Sequence, residues 1–314
     1  MFYKITLKGR LDFGTSKTYD MMFKQIRQRA EVMYKNDTVL KSDEFFFEES
    51  ASMVFRFFLN VTERSWRNTV ALLQNAAEFA VDGRVDAWIA TMAPENKMVR
   101  HFIIEPSSDK TTVMAFKKGR DFLNQSGKES EALVAINEAI ERYERHARAY
   151  ELRAWVSMHM GKQKDAYNDF TKSIDIVPTA EAYIGRAHMS IAKGELKSAI
   201  TDLTMAHENA VPLQSTYWTA KRVKAECYMK LQDWEGVVNE LRFVAKRTFV
   251  QTDPNFPYRK RVWEIYGQAL TQLGKKDEAK LAVKEAKNID REEAAFNNIF
   301  RRLMHDIHKE SLLN

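Results

Sequence analysis

Hydrophobic and polar residues alternate at the start of the chain. Tyr3, Ile5 and Leu7 are separated by polar positions, the period-two pattern of a half-buried strand. The period then lengthens. Ser16 can cap a helix reaching about Lys35, with Met22, Phe23, Ile26, Ala30 and Met33 on one face. Glu44–Glu48 and Met53–Val61 read as strands joined near Ser50, and a second helix is predicted from about Ser65 to Val81, ending before Asp82-Gly83. Two further strands follow, around Val85–Thr91 and Met98–Glu105, with a turn at Pro94-Glu95-Asn96. The order β-α-β-β-α-β-β predicts a small α+β domain over residues 1–106. Pro106-Ser107-Ser108-Asp109 carries no apolar periodicity, so residues 107–112 read as a linker.

From residue 113 the pattern changes to pairs of amphipathic segments that recur. GRDFLNQSGKESEALVAINEAI, RAWVSMHMGKQKDAYNDFTKSI and RAHMSIAKGELKSAITDLTMAH align without gaps. Gly127, Gly161 and Gly194 stand at one position, Ala132, Ala166 and Ala199 at a second, and Ile136, Phe170 and Leu203 at a third. A fourth copy, AECYMKLQDWEGVVNEL, replaces the glycine and alanine with Gln232 and Val237. A fifth, YGQALTQLGKKDEAKLAVKEA, restores them as Gly274 and Ala279. Packing explains the pattern. The glycine makes a tight turn between two helices, and the small residue lets the second helix approach the first. Tyr150, Tyr183 and Trp263 are placed to fill space between neighbouring units, and Pro178 stops the helix that closes the second copy. A unit that cannot bury its own apolar face is stabilised by stacking on the next.

These residues resemble the tetratricopeptide repeat, matched best by Tyr150, Ala154, Gly161, Ala166, Phe170 and Pro178. The resemblance covers residues 113–291 as five repeats and implies an all-α right-handed solenoid. The N-terminal order of elements is similar to ferredoxin-like folds with an extra strand. Departures are visible. Arg120 stands where a small residue is usual, and the fourth copy lacks its turn glycine. Ala225 and Gly267 are 42 residues apart, which places an insertion at KRTFVQTDPNFPYRKR, broken by Pro254 and Pro257. Residues 292–314 place Phe296, Ile299, Phe300, Leu303 and Ile307 at helical spacing, as expected of a terminal capping helix.

In proteins of this type the first helix of each pair lines a groove for peptides or helices. The resemblance therefore implies a partner-binding groove built from Lys117, Asp121 and Asn124, then Glu151, Trp155, Met158 and His159, then Ile184, His188 and Ile191. Arg222, Glu226, Met229 and Lys230 follow from the fourth copy, and Glu264 and Gln268 from the fifth. Trp155, Met158, Ile184 and Ile191 are expected to form an exposed apolar hot spot. The family's carboxylate-gripping subtype is disfavoured, because Asp121 and Glu181 would meet a terminal carboxylate with negative charge.

Composition narrows the chemistry. With 45% hydrophobic and 29% charged residues, the chain reads as a folded protein. No apolar run approaches a membrane span or the apolar core of a signal peptide, so a soluble, cytoplasmic protein is expected. The net charge of +6 comes mostly from residues 113–314, where 33 Lys+Arg face 28 Asp+Glu, leaving +1 for residues 1–112. With acids and bases interleaved, the surplus reads as a solvated helix surface and disfavours nucleic acid as a partner. Phosphate-cradling glycine loops and a zinc-protease motif are lacking, so no cofactor, metal or catalytic residue is assigned. His305 and His308 lie one turn apart without a third ligand, and His159 and His188 read as surface or groove histidines. Cys227 lies in an apolar pattern as an inert thiol. Glu48 and Glu49 are strand neighbours that point to opposite faces. Arg259-Lys260-Arg261 reads as the start of a helix.

The expectation is a non-enzymatic adaptor or scaffold that binds a peptide or partner domain. Two alternatives differ in class: a self-associating structural protein whose groove takes a second copy, and a ligand-sensing or enzymatic N-terminal domain.

Overall fold

The computed structural model describes residues 2–40, 43–91 and 99–311, and their side chains except at 99 and 294–311. The chain divides into two compact units, Met1–Pro178 and Thr179–Asn314.

The first unit begins with strand β1, Phe2–Asp12, followed by helix α1, Ser16–Gln28, and the two-residue strand β2, Phe46–Phe47. Strand β3, Ser52–Thr62, helix α2, Glu63–Phe79, and strands β4, Asp82–Thr91, and β5, Val99–Ile104, complete the head. The sheet is antiparallel in the order β2-β3-β1-β4-β5. Central β1 flanked by β3 and β4 is the ferredoxin-like arrangement, and β5 is the extra strand. Alternation sends Ile5, Leu7 and Leu11 of β1, Phe55 of β3 and Val85, Ala87 and Ile89 of β4 into one core with Met22 and Ile26 of α1 and Leu72, Leu73 and Ala76 of α2. Burial of each large side chain there contributes about 1.5–3 kcal/mol.

The differences from the sequence reading have local causes. Thr15, not Ser16, caps α1, its hydroxyl accepting from the Thr18 N–H at 3.2 Å. The helix loosens at Arg29–Met33, where the Tyr34 N–H reaches the Arg29 carbonyl. That wider turn rotates the face, so Ala30 stays buried while Met33 is 62% exposed. The expected strand at 44–48 is a tight turn, Asp43–Phe45, followed by β2, and it sends Phe45 into the core. Asp82 and Gly83, expected to lie between the second helix and a strand around Val85–Thr91, open β4. The expected turn at Pro94-Glu95-Asn96 lies outside the described residues.

Two helix pairs complete the first unit: α3, Thr111–Leu123, with α4, Glu129–Arg142, and α5, Ala147–His159, with α6, Gln163–Ile176. The second unit holds α7, Ala180–Ala192, with α8, Leu196–Glu208, then α9, Ser215–Lys230, with α10, Trp234–Val244, then α11, Arg259–Gln272, with α12, Lys276–Ser311. No break separates the fifth repeat from the expected terminal helix; α12 runs through both. The apolar face expected at Phe296–Ile307, and His305 and His308, concern side chains outside those described.

The turn glycines adopt the left-handed conformation the repeat requires, with φ of 79°, 74°, 79° and 73° at Gly127, Gly161, Gly194 and Gly274. In the fourth copy Gln232 takes the same conformation at φ 59°. The turn is therefore conserved in geometry where the glycine is missing. Ala132, Ala166, Ala199 and Val237 are fully buried, as close helix packing demands.

Candidate partner-binding surface

Within the first unit, the first helices present Asp121, Asn124 and His159 to solvent and leave Lys117, Glu151, Trp155 and Met158 half-buried. Trp155 is not free: its ring meets Phe170 of α6 edge-on at 5.2 Å. The indole therefore contributes to the α5–α6 packing and offers only part of its surface.

Within the second unit, Lys230, Glu264 and Gln268 are exposed, and His188, Ile191, Glu226 and Met229 half-buried. Ile184 is 5% exposed, which removes it from the expected hot spot. Its side chain is needed for helix packing. Met229 packs against the core formed by α9, α10 and α11.

Arg222 is also buried, contrary to its expected place on a free groove. The proline-broken insertion explains this by bringing Asn255 and Tyr258 over it. The Arg222 guanidinium donates to Asn255 Oδ1 at 3.3 Å and to Glu226 at 3.0 Å, and lies 3.7 Å from the centre of the Tyr258 ring. Asn255 is fixed in turn by donating to the Ser215 carbonyl. Burial, and then the Arg222 charge, hold His188 below the ordinary histidine range, with Glu226 opposing. His188, Arg222 and Glu226 thus form one cluster.

The other weak candidates find structural roles. Cys227 is buried, and desolvation pushes its thiol up to about 11, which suppresses the reactive thiolate. In the basic triplet, Arg259 faces Glu293, Lys260 pairs with Asp290 at 2.7 Å and Arg261 faces Glu264. Among the described residues, no helix is long and apolar enough to cross a membrane.

Two features escaped the sequence reading. The first is a charge pair recurring in the middle three repeats, always 16 residues apart: Arg153 with Asp169, Arg186 with Asp202, and Lys224 with Glu240. Each joins a repeat's two helices. Arg153 also donates to Asn137, and Lys224 to Thr204, both on the second helix of the preceding repeat. Its signal was present as a base eight positions before the turn residue and an acid eight after it.

The second feature joins the head to the first two repeats within the first unit. Arg148 donates to the Gly83 carbonyl at 2.9 Å and to Glu105 at 2.6 Å, and Glu105 also accepts from Arg120 at 2.8 Å. The Tyr143 hydroxyl donates to Asp12 at 2.9 Å, and His146 Nδ1 lies 3.2 Å from Asp82. His146 Nε2 has no partner among the described residues, beside a cavity of about 10 Å³, room for one water. This contact explains why Arg120 occupies a small-residue position: it holds Glu105. The close approach moves one residue back, to Gly119, where a Cβ would lie 2.6 Å from Ile136. The expected linker also bonds back, the Ser107 N–H to the Ala77 carbonyl and Lys110 to the Phe79 carbonyl.

Residues 260–293, which hold α11 and the start of α12, match the sequence profile of the tetratricopeptide repeat. The helical array is a tetratricopeptide-repeat array. No curated protein matches the chain. Among solved structures, the chain is similar to the MamA protein at 19% identity and a TM-score of 0.47, covering 60% of this chain and 96% of that one. It is similar to YrrB, described as a TPR protein with an unusual peptide-binding site, at 15% identity, a TM-score of 0.46 and coverage of 58% and 88%. The TPR2B domain of yeast Sti1, in a complex with pHsp70, matches at 25% identity and a TM-score of 0.36, covering 38% of this chain and 98% of that domain.

Proposed function

We propose that the protein is a non-catalytic interaction adaptor that binds an extended peptide or partner segment on the first helices of its tetratricopeptide repeats. The observation that carries this reading is on α3 and α5, where Asp121, Asn124 and His159 are exposed and Met158 and Trp155 half-exposed beside them. Packing within the repeats consumes the opposite faces, Ala115, Phe116 and Gly119 of α3 and Ala149, Ala154 and Val156 of α5. Polar groups around a methionine and a tryptophan edge suit a peptide with one apolar anchor. In the second unit, His188, Glu226, Ile191 and Tyr258 offer a similar mixture. The buried, unreactive Cys227 is compatible with work in a reducing compartment such as the cytoplasm.

The test is selection of a random-peptide display library against the full chain, followed by direct titration. Peptides bound by the wild type and lost by Met158→Glu combined with His159→Glu support the reading. Failure to enrich any peptide, or equal binding by the variant, contradicts it.

A further inference from the structure

The head's sheet is covered by α1 and α2 on one face, and its other face carries more bases than acids. Alternation fixes which residues lie there, and the strand register aligns them in rows. Phe58 of β3, Thr6 of β1, Trp88 of β4 and His101 of β5 form one row. On one side of it lie Arg56, Lys8 and Asp86; beyond those come Val54, Arg10 and Arg84; on the other side lie Asn60, Lys4 and Ala90. An aromatic row is thus flanked on both sides by cations. Phe58 is 53% exposed. Trp88 and His101 stack face to face at 4.6 Å with an interplanar angle of 6°, and His101 forms the outer, more accessible ring.

Lys4, Lys8, Arg10, Arg56 and Arg84 outnumber the acids on this face. Of those acids, Asp86 is buried between Arg84 and His101, Asp12 pairs with Arg10 at 2.9 Å and accepts from Tyr143, and Asp82 faces His146, so Arg10 and Arg84 are matched within the face. On the helix side the charges balance, with Lys17, Lys24, Arg27, Arg29, Lys35, Arg64 and Arg67 against Asp20, Glu31, Asp37, Asp43, Glu44, Glu63 and Glu78, so the cationic surplus lies on the sheet face.

We infer that this face binds single-stranded nucleic acid. Trp88 is 5% exposed beneath His101, so Phe58 and His101 are the rings that take unpaired bases by stacking, a contact every base can make, and the flanking cations take the phosphates. The row from β3 to β5 crosses three strand spacings, about 14 Å, enough for two or three splayed nucleotides. An acidic peptide would use the cations and leave the rings without a role, so the aromatic row favours nucleic acid. This surface is separate from the repeat helices proposed above to bind a peptide.

Fluorescence anisotropy of the full chain with labelled oligo(U) and oligo(dT) of about 10 nucleotides tests the inference. Saturable binding that falls with added salt is expected. Phe58→Leu keeps apolar bulk and removes the π-face, and it should weaken binding at least about fivefold. Lys4→Glu with Arg56→Glu should weaken it further and flatten the salt dependence. Arg67→Glu, on α2 away from this face, should bind as the wild type. Circular dichroism checks that each variant folds; should Phe58→Leu fail, His101→Leu replaces it as the stacking test. The inference is overturned by absence of saturable binding at low salt. It is equally overturned if the stacking variant binds as the wild type, or if polyglutamate of matched charge competes as well as unlabelled oligonucleotide.

Discussion

Arg153 of α5 and Asp169 of α6 form a two-pronged ion pair, with Nε to Oδ2 at 2.7 Å and Nη2 to Oδ1 at 2.8 Å. The Arg153 guanidinium also covers the Tyr150 ring, as Arg186 covers Tyr183. These tyrosines therefore act as platforms for the charge clamp besides filling space between repeats. Removing one partner leaves a largely buried charge unmatched, which costs more than the pair itself contributes. Arg153→Met should lower unfolding stability by about 2–3 kcal/mol, measured by urea titration. Combining it with Asp169→Leu should recover part of that loss, and strictly additive losses would show that the two side chains do not couple.

The head's attachment to the first repeats should weaken in acid. Burial raises the carboxyl pKa of Asp82, but His146 and Arg148 outweigh it; burial likewise opposes Arg148 and Arg120 at Glu105, and both groups end below the ordinary range. A carboxylate whose pKa is lower folded than unfolded stabilises the fold in full above its unfolded pKa. That contribution is lost as pH falls through the folded value. Unfolding stability should therefore decline as pH drops below about 4, the ordinary carboxylate range. Arg148→Ala should cost about 2–3 kcal/mol at neutral pH and show a shallower acid decline. An unchanged acid slope in that variant would exclude Arg148 from the coupling.

Gln232 holds a left-handed turn conformation that costs a side-chain-bearing residue roughly 1–2 kcal/mol, partly offset by the greater chain entropy of glycine. Gln232→Gly should raise stability by up to about 1 kcal/mol, read as a higher melting temperature. Gly194→Gln, the reverse change in the third repeat, should lower it by a similar amount. A loss of stability in Gln232→Gly, or a gain in Gly194→Gln, would show that the turns are not equivalent.

The repeats were legible because their packing rules leave fixed marks: a left-handed turn needs glycine, and close helices need alanine. The head's strand order was legible from alternation and from the turn residues between elements. Arg222 and Ile184 were misread because helical spacing gives the face a residue occupies and not what folds over it. Only the structure shows the insertion placing Asn255 and Tyr258 on Arg222. The link from Arg148 to Glu105 spans 43 positions, and the one from Tyr143 to Asp12 spans 131. Periodicity carries no trace of pairs so distant. The cationic sheet face was hidden for another reason, since net charge averages over faces that the fold separates.

Hydrogen–deuterium exchange of the full chain, with and without a saturating display-selected peptide, tests the adaptor reading most directly. The account predicts slowed exchange in α3 and α5, around Asp121 to Asn124 and Trp155 to His159, with the head's strands unchanged. Protection confined to the head, or no change in any first helix while the peptide is bound, would contradict it.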